Sequence, residues 1–355
     1  MIKNEKTMSN LTYRYPGLKP FSREEQVFFY GREKEKKEVC RLLDLDNLLV
    51  LHSPSGLGKS SLINAGILPE IERIRKWEEG FQDVQIRFTN YDPAIARRNQ
   101  VEGAEEIFQD PVDRFNYKFE PKRDLWNHIS QKVIPLTNDS FWLAVKWKLT
   151  EAGAANRIVL VLDQFEEIFT YPDGRVDEFA LLLGELYYRI QPEAIREALL
   201  RKKILGNIKD TNDYIPSPEE SKRIDQLIKD IEAPLDIKIL LSMRSDKLSF
   251  LERFKPFLPE MMLSSYELRS FTEEQARQAI IEPALKQGEN FLTPSWEYTE
   301  ENLEKILNFL RDKLSRRIDP SQLQIICQNI EKNVAKKIER QERKKKPFLE
   351  RIFRA

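Results

Sequence analysis

Residues 53–61 read Ser-Pro-Ser-Gly-Leu-Gly-Lys-Ser-Ser and follow the short apolar run at residues 47–52. Glycines let a backbone wrap closely around an anion, and the N–H groups at the start of a helix complete an anion cradle. A helix-compatible stretch follows the segment, so strand, loop and helix occur in the order that a phosphate-binding loop requires. The usual pattern has Gly where this chain has Ser53. That position shapes the turn more than it contacts phosphate, so we expect the serine to be tolerated.

Each part of the loop has an expected role. Lys59 is predicted to place its ammonium near the β- and γ-phosphate oxygens, and Ser60 to offer its hydroxyl to Mg²⁺. The residues expected to contact nucleotide here are Pro54, Ser55, Gly56, Leu57, Gly58, Lys59, Ser60 and Ser61.

A second motif follows the apolar run at residues 158–162, which ends in Asp163. An aspartate at the end of a buried strand holds Mg²⁺ directly or through water in this class of site. The next residue is Gln164, which is a poor base. We predict that Glu166 or Glu167, with Glu167 favoured, positions the attacking water. The alternative is that both are carboxylates in the first turn of a helix, where the dipole favours them.

A cation follows the apolar run at residues 237–243. Arg244 at the end of such a strand can contact a γ-phosphate and stabilise charge there. The alternative is a surface ion pair with Asp246.

The apolar runs and the patterns between them indicate the fold class. Helical patterns separate them, which predicts an α/β fold, a three-layer sandwich with a parallel sheet covered on both faces. Residues 23–44 predict one charged helix. After about residue 271 the strands stop, and helix starts at Thr272 and at Asp319-Pro320 predict a small all-α subdomain. The predicted strands lie at residues 47–52, 84–88, 158–162, 237–243 and 262–268.

Composition excludes several classes of protein. The 355 residues are 41% hydrophobic, enough to bury a core. Two cysteines exclude a disulfide framework, and two histidines argue against a histidine-rich metal site or a Ser-His-Asp triad. No apolar run approaches the roughly 18 residues of a membrane span, and no signal peptide is visible, so we expect a cytoplasmic protein.

The last segment is strongly basic although the whole chain is neutral. Residues 335–355 hold nine basic and three acidic side chains, a net charge of +6. Nucleic acid could bind the run from Lys336 to Lys346 by counterion release. A solvated helix end is the favoured interpretation.

The motifs together resemble the STAND class of P-loop NTPases, and most closely the bacterial "novel STAND" group. The resemblance runs from about residue 13 to residue 330. It is carried by residues 15–21, 28–35, 59–69, 163–167, 244–246, 280–284 and 320–327.

The resemblance has implications for both structure and function. It places Gly31 and Arg32 beside the adenine and ribose, and Pro283, in a helical lid, near the base. It implies ATP and ADP as ligands with Mg²⁺, slow hydrolysis, and an ATP form that self-assembles as a homo-oligomer or recruits an unidentified effector or sensor protein. Defence signalling, including antiphage defence, is common in the family. The implied organisation is an entry segment at 1–20, an NTPase core at 21–271, a lid at 272–334 and a basic tail at 335–355.

The chain also departs from the family's pattern. About 12 residues precede the entry motif, and the sequence stops where a winged helix and sensor repeats would be expected. No histidine follows His128, so a winged-helix histidine that holds ADP is not expected. Two alternatives stay open at this point: an AAA+-like motor acting on protein or nucleic acid, and a nucleotide-binding scaffold without turnover. The missing carboxylate directly after Asp163 argues against a fast motor.

Overall fold

The computed structural model describes residues 13–74, 82–92, 110–119, 141–151, 157–193, 195–197, 200, 218–288 and 291–352. The chain divides into two compact units. We call Arg41–His52 with Ile74–Glu267 the sheet unit, and Met1–Cys40, Ser53–Arg73 and Leu268–Ala355 the lid unit. The domain boundaries expected from the sequence stay a prediction.

Five strands form the sheet unit's centre. They are β1 (Leu48–Ser53), β2 (Gln82–Arg87), β3 (Arg157–Asp163), β4 (Asp236–Arg244) and β5 (Ser265–Glu267). They make one parallel sheet in the order β2-β3-β4-β1-β5. In its register, Leu160 of β3 lies opposite Val84 of β2 and Ile239 of β4. All five predicted strands, and the α/β fold class, are confirmed.

Both faces of the central strands are buried, as the apolar runs predict for a parallel sheet. On one face of β3, Ile158, Leu160 and Leu162 belong to the main hydrophobic core. The alternate residues Val159 and Val161 are 3% and 0% exposed. This two-sided burial explains why the strand sequence has no polar alternation.

Helices account for most of the other described residues. None of them is long and apolar enough to cross a membrane. The α-helices are α1 (Glu33–Leu45), α2 (Lys59–Ser61), α3 (Leu68–Ile74), α4 (Pro111–Lys118), α5 (Phe141–Glu151), α6 (Asp173–Tyr187), α7 (Pro218–Glu232), α8 (Glu273–Leu285), α9 (Glu300–Leu310) and α10 (Pro320–Ile352). A π-helical turn, Leu62–Ile67, joins α2 to α3.

The helices of the sheet unit include one that sequence reasoning missed. Helix α4 lies within residues 97–123, a mostly polar stretch for which the sequence analysis predicts no helix. Its buried residues Val112, Phe115 and Phe119 recur at helical spacing, and Phe115 stacks on Phe141 of α5 with ring centroids 3.5 Å apart. That spacing was the available signal. The sequence also predicts a helical segment at 125–133 and a loop at 204–216, and both lie outside the described residues.

The prediction of one helix over residues 23–44 is wrong. The chain forms a short 3₁₀ helix, Glu24–Phe28, and α1 begins only at Glu33. Gly31 breaks the helix because its φ is +83°, in the left-handed region. A Cβ at that position would lie 2.4 Å from the carbonyl oxygen of Gln275, so the close approach also requires glycine.

The lid unit confirms the helical region expected after residue 271. Helix α8 begins with the predicted capping box, in which Thr272 and Gln275 exchange side-chain and backbone hydrogen bonds. Its apolar core includes Ile280 of α8, Leu307 of α9 and Leu323 of α10, each fully buried.

A buried ion pair ties the start of the described chain to this helical core. The Arg14 guanidinium and the Glu331 carboxylate are both fully buried and lie 3.2 Å apart. Arg14 also donates to the Thr293 hydroxyl at 2.8 Å and to the carbonyl oxygens of Thr293 and Lys286, each at 2.9 Å. These bonds satisfy a cation that would otherwise be expensive to bury.

The sheet unit buries a cation as well. The Lys146 side chain of α5 is 1% exposed. It donates to the carbonyl oxygen of Asp230 at 3.1 Å and to that of Ala233, so it caps carbonyls at the end of α7. Burial is the main cause that lowers the pKa of Lys146 from 10.5 to about 8.

We predict a pH-dependent contribution of Lys146 to stability. Between pH 8 and 10.5 the unfolded chain binds more protons at this residue than the folded chain, so this residue makes the free energy of unfolding rise with pH. In urea denaturation at several pH values across this range, Lys146→Met should show a smaller rise than the wild type. Lys148→Met, on the same helix, is the control and should keep the wild-type slope. Equal slopes for Lys146→Met and wild type would contradict the prediction.

Candidate nucleotide-binding site

The phosphate-binding loop has the backbone shape that its glycines predict. Strand β1 ends at Ser53 and α2 begins at Lys59. Between them Gly56 and Gly58 have φ of +83° and +88°. A Cβ added at Gly58 would meet no heavy atom within 4 Å, which leaves open space beside the backbone. This backbone shape fits an anion cradle.

Lys59 lies over the start of its own loop. Its ammonium donates to the Ser53 carbonyl oxygen at 3.2 Å and to the Ser53 hydroxyl at 3.1 Å. The Ser53 hydroxyl in turn donates to the Pro54 carbonyl oxygen at 2.8 Å. The serine that replaces the usual glycine is fully buried and hydrogen-bonded, so the departure from the pattern introduces a further partner for the lysine.

Phe21, which follows the entry segment, and the lid both contact the loop within the lid unit. The Phe21 N–H donates to the Ser61 hydroxyl at 3.2 Å. The Ser321 hydroxyl, near the start of α10, donates to the Gly56 carbonyl oxygen at 2.6 Å. Ser321 was not singled out from the sequence, although it belongs to the stretch at 320–327 that resembles the end of the family's lid.

Arg32 also reaches the loop. Its guanidinium is 2% exposed and donates to Glu35 Oε1 at 2.9 Å, to the Arg269 carbonyl oxygen at 2.8 Å and to the Leu57 carbonyl oxygen at 3.3 Å. It stacks over the Phe271 ring, 4.2 Å from the centroid. Two of the hydrogen bonds of Arg32 thus hold backbone carbonyl groups, those of Leu57 and Arg269. Its role beside the ribose stays a prediction.

The remaining lid-unit candidates differ in exposure. Pro54 and Ser55 are exposed, Ser60 is half-buried and Leu57 is buried. Pro283 is buried in α8 near its end. Its predicted contact with the base stays a prediction.

In the sheet unit, two motif-bearing strands end next to each other. Strand β3 ends at Asp163, which is 8% exposed, and β4 ends at Arg244. Strand β4 lies between β3 and β1. Because parallel strands place their carboxyl ends at one edge of a sheet, Asp163 and Arg244 lie on the edge at which β1 ends.

The residue after Asp163 has an unusual backbone. Gln164 has φ 55° and ψ 42°, the left-handed conformation that a non-glycine residue seldom adopts. Its side-chain oxygen accepts from Arg87 Nε at 2.7 Å. Strain of this kind clusters at functional sites, and it turns the chain sharply into the 3₁₀ helix Phe165–Thr170.

The two candidate glutamates have different surroundings. Both lie in the first turn of that 3₁₀ helix. Glu166 is 9% exposed, and its Oε2 accepts from the Arg244 N–H at 3.2 Å. Glu167 is half-buried. Glu166 therefore links the end of β3 to the end of β4, whereas the Glu167 carboxylate has greater access to solvent.

Arg244 forms the ion pair weighed as the alternative to a phosphate contact. Its guanidinium donates to Asp246 at 3.0 and 2.8 Å. Hydrogen bonding to Asp246 raises the pKa of Arg244, and the arginine lowers the pKa of Asp246. The side chains are 44% and 54% exposed, so the pair contributes little to stability. A nucleotide contact by Arg244 stays a prediction.

The sequence matches a known family over most of its length. The model of Novel STAND NTPase 1 matches residues 15–305. The chain therefore belongs to the novel STAND NTPase 1 family, and its fold and phosphate-binding loop are those of a nucleotide-binding P-loop NTPase. No curated protein sequence is similar enough to give a match.

The solved structures that match this chain share little sequence identity with it. A Walker-type ATPase of Pyrococcus abyssi is 15% identical, with a TM-score of 0.45, and the match covers 95% of this chain and 79% of that one. The ORC2 protein of Aeropyrum pernix, in ADPNP–ADP complexes, is 13% identical, with a TM-score of 0.38 and coverage of 90% and 70%. The ORC1 protein of Aeropyrum pernix, in complex with DNA, is 14% identical, with a TM-score of 0.33 and coverage of 70% and 48%.

We predict that Ser53→Gly, which restores the usual loop residue, weakens ADP binding by less than about fivefold. The lost bond to the Lys59 ammonium is charge-assisted, but the lysine keeps the backbone oxygens of residues 53 and 54 as partners, so we expect a net loss of no more than about 1 kcal/mol. Titration with a fluorescent ADP analogue measures the change. Ser55→Gly, at an exposed loop position, controls for added backbone freedom. A loss above about 50-fold for Ser53→Gly alone would show that the hydroxyl is essential to phosphate binding.

Proposed function

We propose that this NTPase is an ATP-dependent molecular switch, in which slow Mg²⁺-dependent hydrolysis controls self-assembly or the recruitment of an effector or sensor partner. One observation carries the proposal. Within one compact unit, the phosphate-binding loop is hydrogen-bonded both to Phe21 and Arg32, which precede α1, and to Ser321 of the lid. A change at the phosphates can therefore be transmitted through these hydrogen bonds to Phe21 and Arg32 and to the lid helix that carries Ser321.

The loop residues fit nucleotide and magnesium by their chemistry. Lys59 would supply positive charge to the β- and γ-phosphates, and the loop N–H groups would donate to phosphate oxygens. Ser60 and Asp163 offer hard oxygen ligands of the kind that Mg²⁺ prefers. When bound, Mg²⁺ would neutralise charge that develops on the phosphates.

The water-positioning role is assigned to Glu167. A group with this role needs access to a solvent water, and Glu167 is more exposed than Glu166. Glu166 is proposed to act through Arg244, whose backbone N–H donates a hydrogen bond to the Glu166 carboxylate. The absence of a carboxylate directly after Asp163 supports slow rather than motor-like turnover. Defence signalling is proposed from the family resemblance.

Lys59→Ala tests the binding site. Loss of a charge-assisted contact costs about 1.5–3 kcal/mol, so we expect ATP and ADP to bind at least about tenfold more weakly in isothermal titration calorimetry. Lys34→Ala, an exposed lysine of the same unit, should bind like the wild type. Unchanged affinity in Lys59→Ala would mean that this loop does not hold the nucleotide.

Size-exclusion chromatography with light scattering tests the switch. The ADP form should be smaller than the form with a non-hydrolysable ATP analogue.

Glu167→Gln should hydrolyse ATP at least about 100-fold more slowly, because it removes a general base or water-orienting group, and should assemble in ATP itself. Identical mass and shape in both nucleotides would contradict the switch. Sustained turnover above about 1 s⁻¹ would favour the AAA+-like motor.

A further inference from the structure

We propose that Ser321 and Arg32 are positioning residues for the phosphate-binding loop. They hold the carbonyl groups of Gly56 and Leu57 and thereby aim the next two N–H groups at the nucleotide phosphates. The inference deepens the proposed function, since it rests on nucleotide binding at this loop.

The two contacts fall on successive peptide groups. The Ser321 hydroxyl donates to the Gly56 carbonyl oxygen at 2.6 Å. The Arg32 guanidinium donates to the Leu57 carbonyl oxygen at 3.3 Å. One donor lies in the lid and the other immediately before α1, so parts of the chain that are far apart in sequence act on neighbouring bonds.

Peptide geometry converts these contacts into control of the donors. In a planar trans peptide the C=O and the following N–H point in opposite directions. A bond that fixes the Gly56 carbonyl therefore fixes the Leu57 N–H, and a bond at the Leu57 carbonyl fixes the Gly58 N–H. Such successive N–H groups are the ones with which a loop of this kind cradles phosphate.

The need for an outside restraint is greatest at Gly56. Its φ of +83° lies in a region open mainly to glycine, and glycine rotates more freely than any other residue. A Cβ at this position would lie 2.8 Å from the Ser321 hydroxyl oxygen. Glycine thus permits both the loop conformation and the close approach of α10, while the serine limits the freedom that glycine brings.

Ser321 is itself held in place. The Asp319 carboxylate accepts from the Ser321 N–H at 2.7 Å and from the Gln322 N–H at 3.2 Å, which caps the start of α10. Leu323 and Cys327, on the same helix, are fully buried in the lid core. The hydroxyl therefore stands on a rigid element, as a positioning group requires.

Ser321→Ala is the decisive variant, because Arg32 is part of a buried ion pair with Glu35 and its removal would disturb folding. We expect Ser321→Ala to bind ADP and ATP about three- to tenfold more weakly, the range for one lost hydrogen bond. Its unfolding midpoint without nucleotide should match that of the wild type. Ser321→Thr, which keeps a hydroxyl, should recover the affinity, and Ser295→Ala, between α8 and α9, should leave it unchanged.

The outcomes separate this inference from the proposed function. If the wild type binds no nucleotide, the proposed function is overturned, and this inference with it. If the wild type binds and Ser321→Ala binds equally well, only the positioning role is overturned. Weaker binding that comes with a lower unfolding midpoint, and that Ser321→Thr does not correct, would assign Ser321 a purely structural role and would also overturn the inference.

Discussion

The constraint on which the structure depends is that its sheet is parallel. Parallel strands all end at one edge, and the order β2-β3-β4-β1-β5 makes β3, β4 and β1 consecutive there. Their ends carry Asp163, Arg244 and the beginning of the phosphate-binding loop. Adjacent strands lie about 4.8 Å apart, so Asp163 and Arg244, which are far apart in sequence, end neighbouring strands of the sheet unit. A one-residue slip in register would turn these groups to the other face.

The lid unit depends on buried cations rather than on a sheet. Arg14 and Arg32 are 0% and 2% exposed, and each is bonded to a carboxylate and to backbone carbonyl oxygens. Burying a guanidinium is unfavourable unless its donors are satisfied. Each arginine therefore accepts few alternative arrangements. Arg14 fixes how the entry segment meets the lid helices, and Arg32 holds the backbone at Leu57 and Arg269.

The sequence predicted what depends on local chemistry. The strands were visible as apolar runs, and the caps at Thr272 and Asp319 as side chains with a fixed relation to the next turn. The break at Gly31 was not predicted. Glycine is required there by its positive φ and by the close approach of the Gln275 carbonyl oxygen, which belongs to a part of the chain far away in sequence. Helix α4 was obscured by its polar surroundings, although the spacing of Val112, Phe115 and Phe119 was present.

The site shows the same division between local and distant information. The loop glycines and Lys59 follow from a pattern of nine residues. The contacts of Ser321 and Arg32 with that loop depend on tertiary structure, and nothing in their local sequence states the partner. Ser53 lies between these cases, since its departure from the pattern was visible but its bond to Lys59 was not.

The surroundings of the two glutamates bear on why turnover should be slow. A general base works best when it is close to the water that it activates and free to exchange a proton. Glu166 is bonded to the Arg244 backbone, and the side chain of Gln164 is held by Arg87. The side chains of Glu166 and Gln164 are thus engaged in hydrogen bonds that connect the ends of β2, β3 and β4. In the proposed mechanism, hydrolysis depends on Glu167, one residue further along the 3₁₀ helix. Its greater exposure to water, a medium of high dielectric, weakens its electrostatic effect. We therefore propose that this site favours persistence of the triphosphate, which a switch requires and a motor does not.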